Sequence, residues 1–479
     1  MNKSVLTSMA LGLLLLFANT GHADTGTPSF SHTGPVLIKS VNVIDGLGSK
    51  SQRNRDILVV DGKIRSIAKT GSTVVPTDAM VIEGKGLSAM PGLIDMHIHL
   101  QGGWANASLP GDRYKTRYDD AALQQRLNGY LYAGVTSVLD VGNDHDYIVK
   151  TRDRVNAGEL IGPRMFVSGA AWSQAPSGWD AASENEQGAG GGFNLSTKVA
   201  DLIKIPEQLD LYTKDGIDII KLYTGISHHA AQFLIEEAHK RDIKVIADLW
   251  SLNLDRIFMQ ATGLDGWAHS GGFEVVGREN QTWMAENARF VIVTANVGEK
   301  LAGLRVADEN GKRLMLQEPL IVDIWGRDEV EHFYEIYPAI RENQYEGPNS
   351  FYQQMDFGDM KRFRANFLKN IKDSYDAGVL IAGGTDDIYP SLWAGESMHR
   401  ELELLVMAGI PARDAIKICS YNAARILRRE DQFGSLQEGL AADILLVEGD
   451  PGRNISDSRN VEYVLSAGRI VDRSSLKKE

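Results

Sequence analysis

Eight short apolar runs, separated by stretches of helical periodicity, fill the middle of the chain and restrict its fold more than any other feature. One intervening stretch places Ala230, Phe233, Leu234 and Ala238 on a single helical face. Strands that alternate with helices are typical of βα units on a parallel sheet, and eight units predict a TIM-like α/β fold, a (β/α)8 barrel. The predicted strands span 93–99, 135–141, 164–168, 217–223, 243–249, 264–269, 290–294 and 379–383.

The two ends of the chain follow a different pattern. Residues 36–90 and 442–471 alternate apolar and polar positions between turn signals, as β-hairpins do. Two separated β segments can build one small domain. We therefore expect residues 24–90 and 431–479 to form a composite β-sandwich domain beside a barrel of residues 91–430.

Two segments exceed what a minimal barrel needs. Residues 171–200 are rich in Gly, Ser and Ala, which predicts a loop after the third strand. Residues 298–370 form a long aromatic-rich insertion after the seventh strand. Because this insertion leaves from the face where barrel sites lie, one interpretation is that it covers the site or builds a subunit interface. The other is a surface excursion with a small core of its own.

The first residues have the order of a secretory signal. Lys3 supplies the positive charge, residues 5–17 are apolar, and residues 21–23 offer small side chains before a cleavage point near Asp24. A membrane anchor would need about 20 apolar residues, more than this run provides. Residues 1–23 are thus predicted to be a signal peptide, and the protein to be exported, periplasmic or secreted, without stable membrane association after cleavage.

The net charge and the cysteine content limit which partners the protein can bind and which side chains can hold a metal. The formal net charge is -13 with no Lys/Arg-rich run, which argues against a nucleic-acid or anionic-membrane partner and favours a small-molecule substrate. A homo-oligomer is compatible with this composition. Cys419 is the single cysteine, so sites that use paired cysteines are excluded. A metal would have to be held by histidine, carboxylate or a modified lysine.

The first predicted barrel strand ends in a histidine pair. His97 and His99 are two residues apart, so in a strand both imidazoles point to the same side, as metal binding requires. A chance pair of core or surface histidines is the alternative. The pair follows residues 91–95 (PGLID), at the junction between the β segment and the barrel.

These residues begin a series of motifs that resembles the amidohydrolase superfamily over nearly the whole mature chain. The subset most similar contains imidazolonepropionase-related proteins and prolidase-like dipeptidases. Five landmarks occur in the family's order, which makes a chance match improbable. They lie at 91–99, 134–140, 216–221, 263–270 and 383–386, and the stretches 422–425 and 439–443 match its C-terminal pattern.

The resemblance implies which side chains bind the metal. His97 and His99 match the first two ligands, and His269 matches the ligand that ends the sixth strand. Asp386 matches the eighth-strand aspartate, which in the family binds metal and accepts the proton of the attacking water. That role is physically reasonable because a metal lowers the pKa of water towards about 7, where a carboxylate can take and return the proton. Asp387 is an alternative one position away.

Lys221 matches a lysine of the fourth strand. An isolated ammonium inside an apolar barrel is costly, so Lys221 must be paired, neutral or modified. The simpler interpretation is a salt bridge inside the barrel. The resemblance instead implies that Lys221 forms a carbamate (carboxylysine) that bridges two metals. Tyr223 shares its face of the strand and is expected to polarise a substrate carbonyl, the alternative being a packed core tyrosine.

One position departs from the family pattern. Where the fifth strand should end in histidine, this chain has Asp248. An oxygen ligand is acceptable to zinc and more so to manganese. Three cases remain open: an oxygen ligand that keeps a two-metal site, an acid beside a single metal, or a degenerate site.

The remaining histidines give weaker signals. His145 lies in a polar loop after the second strand and is a candidate substrate contact, although a solvated histidine is the simpler interpretation. His228 and His229 open a helix after Lys221, and His399 lies in a helix after the eighth strand, where packing is the simpler role.

Together these features predict an amidohydrolase that cleaves an amide-type C–N bond of a dipeptide or N-acyl amino acid with metal-activated water, on one or two divalent metal ions, with zinc as the first choice. A single-metal deaminase or a hydrolase of cyclic amides or lactones on the same fold is the second hypothesis. The third is a catalytically degenerate barrel that acts as a binding protein.

Overall fold

The computed structural model describes residues 29–100, 120–173, 196–198, 202–223, 226–249, 256–301, 306, 310–341, 360–387 and 391–478. The strands are β1 (Phe30–His32), β2 (Val36–Val43), β3 (Gln52–Val60), β4 (Lys63–Lys69), β5 (Met80–Glu83), β6 (Leu87–Pro91), β7 (Leu93–Ile98), β8 (Val135–Asp140), β9 (Arg164–Val167), β10 (Ala171–Ser173), β11 (Ser196–Lys198), β12 (Ile219–Leu222), β13 (Lys244–Asp248), β14 (Gly266–Ala268), β15 (Phe290–Val293), β16 (Leu380–Gly383), β17 (Ile444–Glu448), β18 (Val461–Ser466) and β19 (Arg469–Val471).

The α-helices alternate with the central strands. They are α1 (Asp120–Tyr132), α2 (His145–Asn156), α3 (Ile205–Lys214), α4 (His228–His239), α5 (Arg256–Thr262), α6 (Arg278–Glu286), α7 (Ala295–Leu301), α8 (Pro319–Trp325), α9 (Arg327–Arg341), α10 (Met360–Ala377), α11 (Glu396–Met407), α12 (Ala412–Ile418) and α13 (Tyr421–Ile426). Among the described residues, no helix is long and apolar enough to cross a membrane.

Eight parallel strands, β7, β8, β9 and β12–β16, follow one another in chain order. They belong to a three-stranded sheet, β7-β8-β9, and a seven-stranded sheet that runs β11-β10-β12-β13-β14-β15-β16. The backbone N–H of Asp218 donates to the Val167 carbonyl at 3.0 Å and joins β9 to the start of β12. On the other side, the N–H of Asp386 donates to the His97 carbonyl at 2.7 Å and joins the end of β16 to β7. Each of the eight runs expected from the sequence contains one of these strands.

The inner apolar cluster collects residues from all eight strands, which explains why the strands read as near-continuous apolar runs. Ile219 and Ile246 are two of its fully buried members. Side chains two positions further along a strand face the same way, so Lys221 and Asp248 also face the inside, at the carboxyl ends of β12 and β13. Other members are Ile94, Met96, Leu139, Phe166, Ala268, Phe290, Ile292 and Ala382.

A nine-stranded sheet is built from both ends of the chain. Its order is β1-β19-β18-β17-β6-β2-β3-β4, with β5 paired to β2. Strand β6 lies antiparallel to β17, with Pro91 opposite Ile444, so the N-terminal and C-terminal segments share one sheet and one buried apolar cluster. This arrangement agrees with the composite β segment expected from sequence; the exact domain boundaries stay a prediction, and residues 1–23 lie outside the described residues.

The two additional segments contain more regular structure than the sequence suggested. The segment 171–200, expected to be a loop, contains β10 and β11, which pair in parallel; residues 174–195 lie outside the described part. The described part of the 298–370 insertion is helical. It packs a small apolar cluster with Trp393, which favours a core of its own. Members from the insertion include Val306, Met315, Ile321, Val330, Phe333 and Tyr334.

Candidate metal centre

Two histidines and one aspartate meet where β7 and β16 end. Nε2 of His97 lies 3.6 Å, and Nε2 of His99 lies 3.4 Å, from Oδ1 of Asp386. One potential ligand atom from each of the three residues falls within 4.8 Å of the other two. All three side chains are buried. At this spacing the three side chains could hold one cation between them.

His269 and Asp248 extend the group across the barrel. Nε2 of His269 lies 3.3 Å from Oδ2 of Asp248 and 3.9 Å from Oδ2 of Asp386. The rings of His97 and His269 are 4.5 Å apart between centroids. The aspartate that departs from the family pattern therefore sits next to a candidate ligand, inside the cluster.

Lys221 lies between the two ends of this group. Its Nζ is 3.3 Å from Nε2 of His97 and 3.8 Å from Oδ2 of Asp248. Its side chain is 3% exposed, so the ammonium group has little access to water. The structure thus brings together all six residues expected to bind metal; their role as ligands stays a prediction.

The imidazole rings are oriented by bonds at their outer nitrogens. Nδ1 of His99 lies 2.6 Å from the Gly142 carbonyl oxygen, and Nδ1 of His269 lies 2.8 Å from Oγ1 of Thr294. A carbonyl can only accept, so Nδ1 of His99 carries the proton and its Nε2 presents a lone pair to the centre. Nδ1 of His97 is a buried atom without a hydrogen-bond partner among the described residues.

Burial keeps His97 and His99 neutral, as metal ligands must be. Loss of hydration, followed by the charge of Lys221, lowers the pKa of His99 to about 3. The same two causes hold the pKa of His97 well below its usual range. Burial also raises the pKa of Asp386, although His269 and Lys221 oppose that effect. The neutral imidazoles of His97 and His99 and the carboxylate of Asp386 would be stabilised by a bound cation.

Two of these residues have an uncommon backbone conformation. The φ angles of His269 and Asp386 are 73° and 55°, in the left-handed region that non-glycine residues seldom occupy. Each costs on the order of 1 kcal/mol and persists because surrounding contacts impose it. His269 directly follows β14, and Asp386 lies three residues after the end of β16. At both positions the backbone turns so that the side chain points towards the candidate metal centre.

The alternative position, Asp387, has a different environment. Its carboxylate accepts a hydrogen bond from the Tyr130 hydroxyl and lies 3.5 Å from Nη2 of Arg126. Its side chain therefore contacts residues of α1. Asp386, and not its neighbour, faces the histidines.

The other sequence-predicted residues have separate contacts. Tyr223 is half-buried, and its ring centroid lies 5.3 Å from Nζ of Lys221, next to the cluster. Nε2 of His145 lies 2.9 Å from Oδ2 of Asp215, and its ring packs 4.5 Å from that of Tyr212. These contacts tie His145 to α3 and the turn after it; a substrate contact for it stays a prediction.

The remaining histidines lie in the helical layer. His228 and His229 are exposed at the start of α4, where the His228 ring contacts Phe258. His399 is buried, with its nitrogens 2.9 Å from Oγ of Ser458 and 2.8 Å from the Ala133 carbonyl oxygen. Packing accounts for His399.

Sequence reasoning missed the carboxylates that hold the ligand-bearing segments. Asp95 accepts hydrogen bonds from the His97 N–H at 3.2 Å and from the N–H and Oγ1 of Thr385 at 3.0 and 2.6 Å. Asp140 accepts from the N–H groups of Leu100 and Gly142 at 2.7 and 3.1 Å. The available signal was a buried acidic residue within or at the end of an apolar strand.

This set of donors fits a divalent cation. Imidazole nitrogens and carboxylate oxygens are the ligands that zinc accepts, and oxygen ligands also suit manganese. His97, His99 and Asp386 would hold one cation, and His269, Asp248 and a modified Lys221 could serve a second. The side chain of Lys221 lies between His97 and Asp248 and so contacts both groups of candidate ligands.

Part of the chain is similar in sequence to a known enzyme. A dihydroorotase of Streptococcus pyogenes serotype M3 is 32% identical over 149 residues, which cover 30% of this chain and 31% of that enzyme. The chain therefore matches less than a third of that enzyme's length.

Solved structures match over much more of the chain. A Xaa-Pro dipeptidase with methionine bound in its active site has a TM-score of 0.67 at 20% identity and covers 91% of this chain and 99% of its own. Phenylurea hydrolase B has a TM-score of 0.69 at 19% identity and covers 92% of this chain and 97% of its own. At these identities the likeness shows the fold. The sequence model of the amidohydrolase family matches residues 88–471, and the chain belongs to that family.

Proposed function

We propose that this protein is a metal-dependent hydrolase that cleaves an amide-type C–N bond of a small substrate, a dipeptide or an N-acyl amino acid. The single observation that carries the proposal is the convergence of three histidines, two aspartates and a lysine at the carboxyl ends of the strands. That is where barrels of this type place their chemistry. The dihydroorotase and dipeptidase relatives support a hydrolase, and the dipeptidase neighbour supports the substrate class.

The cation that we propose is divalent, with zinc as the first choice. When bound, it would lower the pKa of water towards about 7 and polarise a carbonyl oxygen. Asp386 would take the proton of the attacking water and deliver it to the nitrogen of the leaving amine. The buried position of Asp386 raises the pKa of its carboxyl, which suits a group that must accept and then release a proton.

Lys221 is proposed to carry a carbamate. The neutral Nζ would attack the carbon of carbon dioxide and form an N–C bond, while one C=O π bond breaks and its electron pair moves to oxygen. Loss of one proton from the nitrogen then leaves a carbamate anion at the end of the side chain. Its position between His97 and Asp248 supports this, because a carboxylate there would face both halves of the cluster. It would also replace a buried ammonium by an anion that two cations can share.

Tyr223 is the proposed donor to the substrate carbonyl. Its half-buried ring lies beside Lys221, so a hydroxyl at this rim can reach a substrate that enters from the open face. A single donor of this kind accelerates amide cleavage by about 100-fold or more.

A second candidate function is deamination, or hydrolysis of a cyclic amide or lactone, with one metal. The observation in its favour is that Nζ of Lys221 already lies 3.8 Å from Oδ2 of Asp248, an ion pair that needs no modification. A content of one metal per chain, with unmodified Lys221, would favour this candidate. For both candidates we propose an exported protein, periplasmic or secreted, that acts on a small molecule.

The test compares two buried or partly buried aspartates. We expect Asp386→Asn to abolish turnover of dipeptides and N-acyl amino acids while the variant still binds metal. Asp265→Asn is the control: this aspartate contacts His239 at 2.8 Å, outside the cluster, so the variant should retain activity. Full activity of Asp386→Asn would refute its role. Failure of the wild type, loaded with zinc, manganese or cobalt, on a panel of dipeptides, acyl amino acids and lactones would refute the function.

A further inference from the structure

Glu401 is a fully buried carboxylic acid on α11, in the helical layer outside the barrel. Its Oε1 accepts a hydrogen bond from the N–H of Ala295 at 2.8 Å. Its Oε2 accepts from the N–H of Asn296 at 3.0 Å and from Nδ2 of the same residue at 2.7 Å. These backbone groups open α7, so one side chain satisfies the first N–H groups of that helix.

Two further contacts fasten α7 to α11. Nδ2 of Asn296 also donates to the carbonyl oxygen of Ser397 at 2.8 Å. At the other end of α7, Glu299 accepts from Nε and Nη2 of Arg400 at 2.7 and 2.6 Å. The start of α7 therefore has a fixed position relative to α11, and Glu401 is its buried anchor.

The residue just before this anchored turn contacts a candidate metal ligand. Thr294 precedes Ala295, is fully buried, and its Oγ1 lies 2.8 Å from Nδ1 of His269. The partner of Nδ1 orients a histidine ring and hence directs its other nitrogen, Nε2, towards a metal. The position of Thr294 is set by the backbone that Glu401 holds.

We propose that Glu401 is a positioning residue for the metal centre: through Ala295 and Asn296 it fixes Thr294, and Thr294 fixes the orientation of the His269 ring. The proposal deepens the function proposed above, since it assumes that His269 binds a metal. It assigns a role in the site to a residue that lies in a different structural layer from the ligands and in no motif noted in the sequence.

The first test measures zinc affinity by competition with a chromophoric chelator. We expect Thr294→Val and Glu401→Gln each to weaken zinc binding by about tenfold, the lower end of what loss of a ligand's orienting partner costs. The zinc affinity of the double variant should be close to that of the weaker-binding single variant, because both changes interrupt the same series of contacts from Glu401 to His269. Independent effects that multiply, or wild-type affinity in folded Glu401→Gln, would overturn the proposal.

Two variants serve as controls. Glu396→Gln makes the same change on the same helix, at a buried carboxylate that pairs with Nη1 of Arg459 at 2.7 Å, and should leave zinc affinity unchanged. Thr294→Ser keeps the hydroxyl and should bind zinc as the wild type does. If Glu401→Gln does not fold, Asn296→Ala, which removes the amide bonds to Glu401 and Ser397, should weaken zinc binding in the same direction; unchanged affinity would overturn the proposal.

A second readout needs no metal. In metal-free protein with 15N-labelled histidine, we expect Thr294→Val and Glu401→Gln each to shift the ring-nitrogen resonances of His269 away from their wild-type positions, because both changes release the ring from its Nδ1 partner. Unchanged His269 resonances in folded Glu401→Gln would overturn the proposal. If the wild type binds no zinc but these resonances shift as expected, the proposed function fails while the positioning role stands.

Discussion

Oδ2 of Asp248 lies 3.3 Å from Nε2 of His269, so the residue that departs from the family pattern occupies the interior of the metal-binding cluster. Both side chains are almost completely buried. A buried carboxylate such as that of Asp248 needs a cation, a proton or a strong donor to balance its charge. The ammonium of Lys221, 3.8 Å from the same oxygen, supplies part of that balance.

Removal of the charge at position 248 should weaken metal binding. We expect Asp248→Asn to lower the affinity for zinc and manganese by about tenfold or more, because an amide oxygen is a poorer ligand than a carboxylate. Asp248→His should shift the preference towards zinc, since imidazole suits zinc better than manganese. Metal content and competition between the two ions measure both effects. Asp265→Asn, at an aspartate that contacts His239 at 2.8 Å outside the cluster, should leave both unchanged.

The carbamate predicts a dependence on carbon dioxide. Lys221→Arg keeps a positive charge but removes the amine that reacts, so we expect at least about 100-fold lower activity and fewer metals per chain. Metal-free wild type reconstituted without carbon dioxide should stay inactive until bicarbonate is added. Lys244→Arg is the control, because Nζ of Lys244 donates to the Ile426 carbonyl at 2.7 Å, away from the cluster. Activity and metal content of Lys221→Arg equal to wild type would exclude the carbamate.

Gly384, directly after β16, allows the chain to approach β7 closely. A Cβ atom at this position would lie 2.7 Å from Cβ and 2.9 Å from the backbone nitrogen of His97. We therefore expect Gly384→Ala to displace His97 or Asp386, to destabilise the fold by about 1–3 kcal/mol and to reduce metal content. Gly277→Ala, where a Cβ would meet nothing within 4 Å, should leave metal content as it is. Urea unfolding and metal analysis measure the two effects; equal values for both variants would contradict this account.

Asp218 should make stability depend on pH. Burial raises its pKa to about 6, although the hydrogen bond from the Val167 N–H opposes the shift. In the unfolded chain an aspartate ionises near pH 4, so between about pH 4 and 6 the folded state binds more protons than the unfolded one. The raised pKa of Asp218 therefore adds to the free energy of unfolding below about pH 4, and this added stability is lost as the pH rises through about 6. Its maximum is about 3 kcal/mol.

Asp218→Asn removes this titration and keeps an oxygen that can accept from Val167. Relative to the wild type, the variant should therefore become more stable as the pH rises from about 4 to 7. Denaturant unfolding of both proteins across this range measures the difference, in which groups common to the two proteins cancel. A difference that does not change with pH would show that the carboxyl of Asp218 titrates normally in the folded protein.

The sequence by itself determined the order of the strands and the first candidate ligands. Strand period is a local property, so the eight apolar runs and the pair His97 and His99 could be found without knowledge of any long-range contact. Lys221, Asp248 and His269 were singled out by the resemblance to the amidohydrolase superfamily, within or at the ends of predicted strands, and the structure places them together.

The tertiary structure decided which polar groups support the site, because those contacts join residues far apart in the chain. Only the fold shows that Asp386 faces the histidines while Asp387 turns to Tyr130, since adjacent residues look equivalent in a sequence. The link from Glu401 through Ala295 to Thr294 spans more than a hundred residues and follows no local period. Buried hydrogen bonds of this kind depend on how helices pack against the barrel, and packing is settled only when the whole chain has folded.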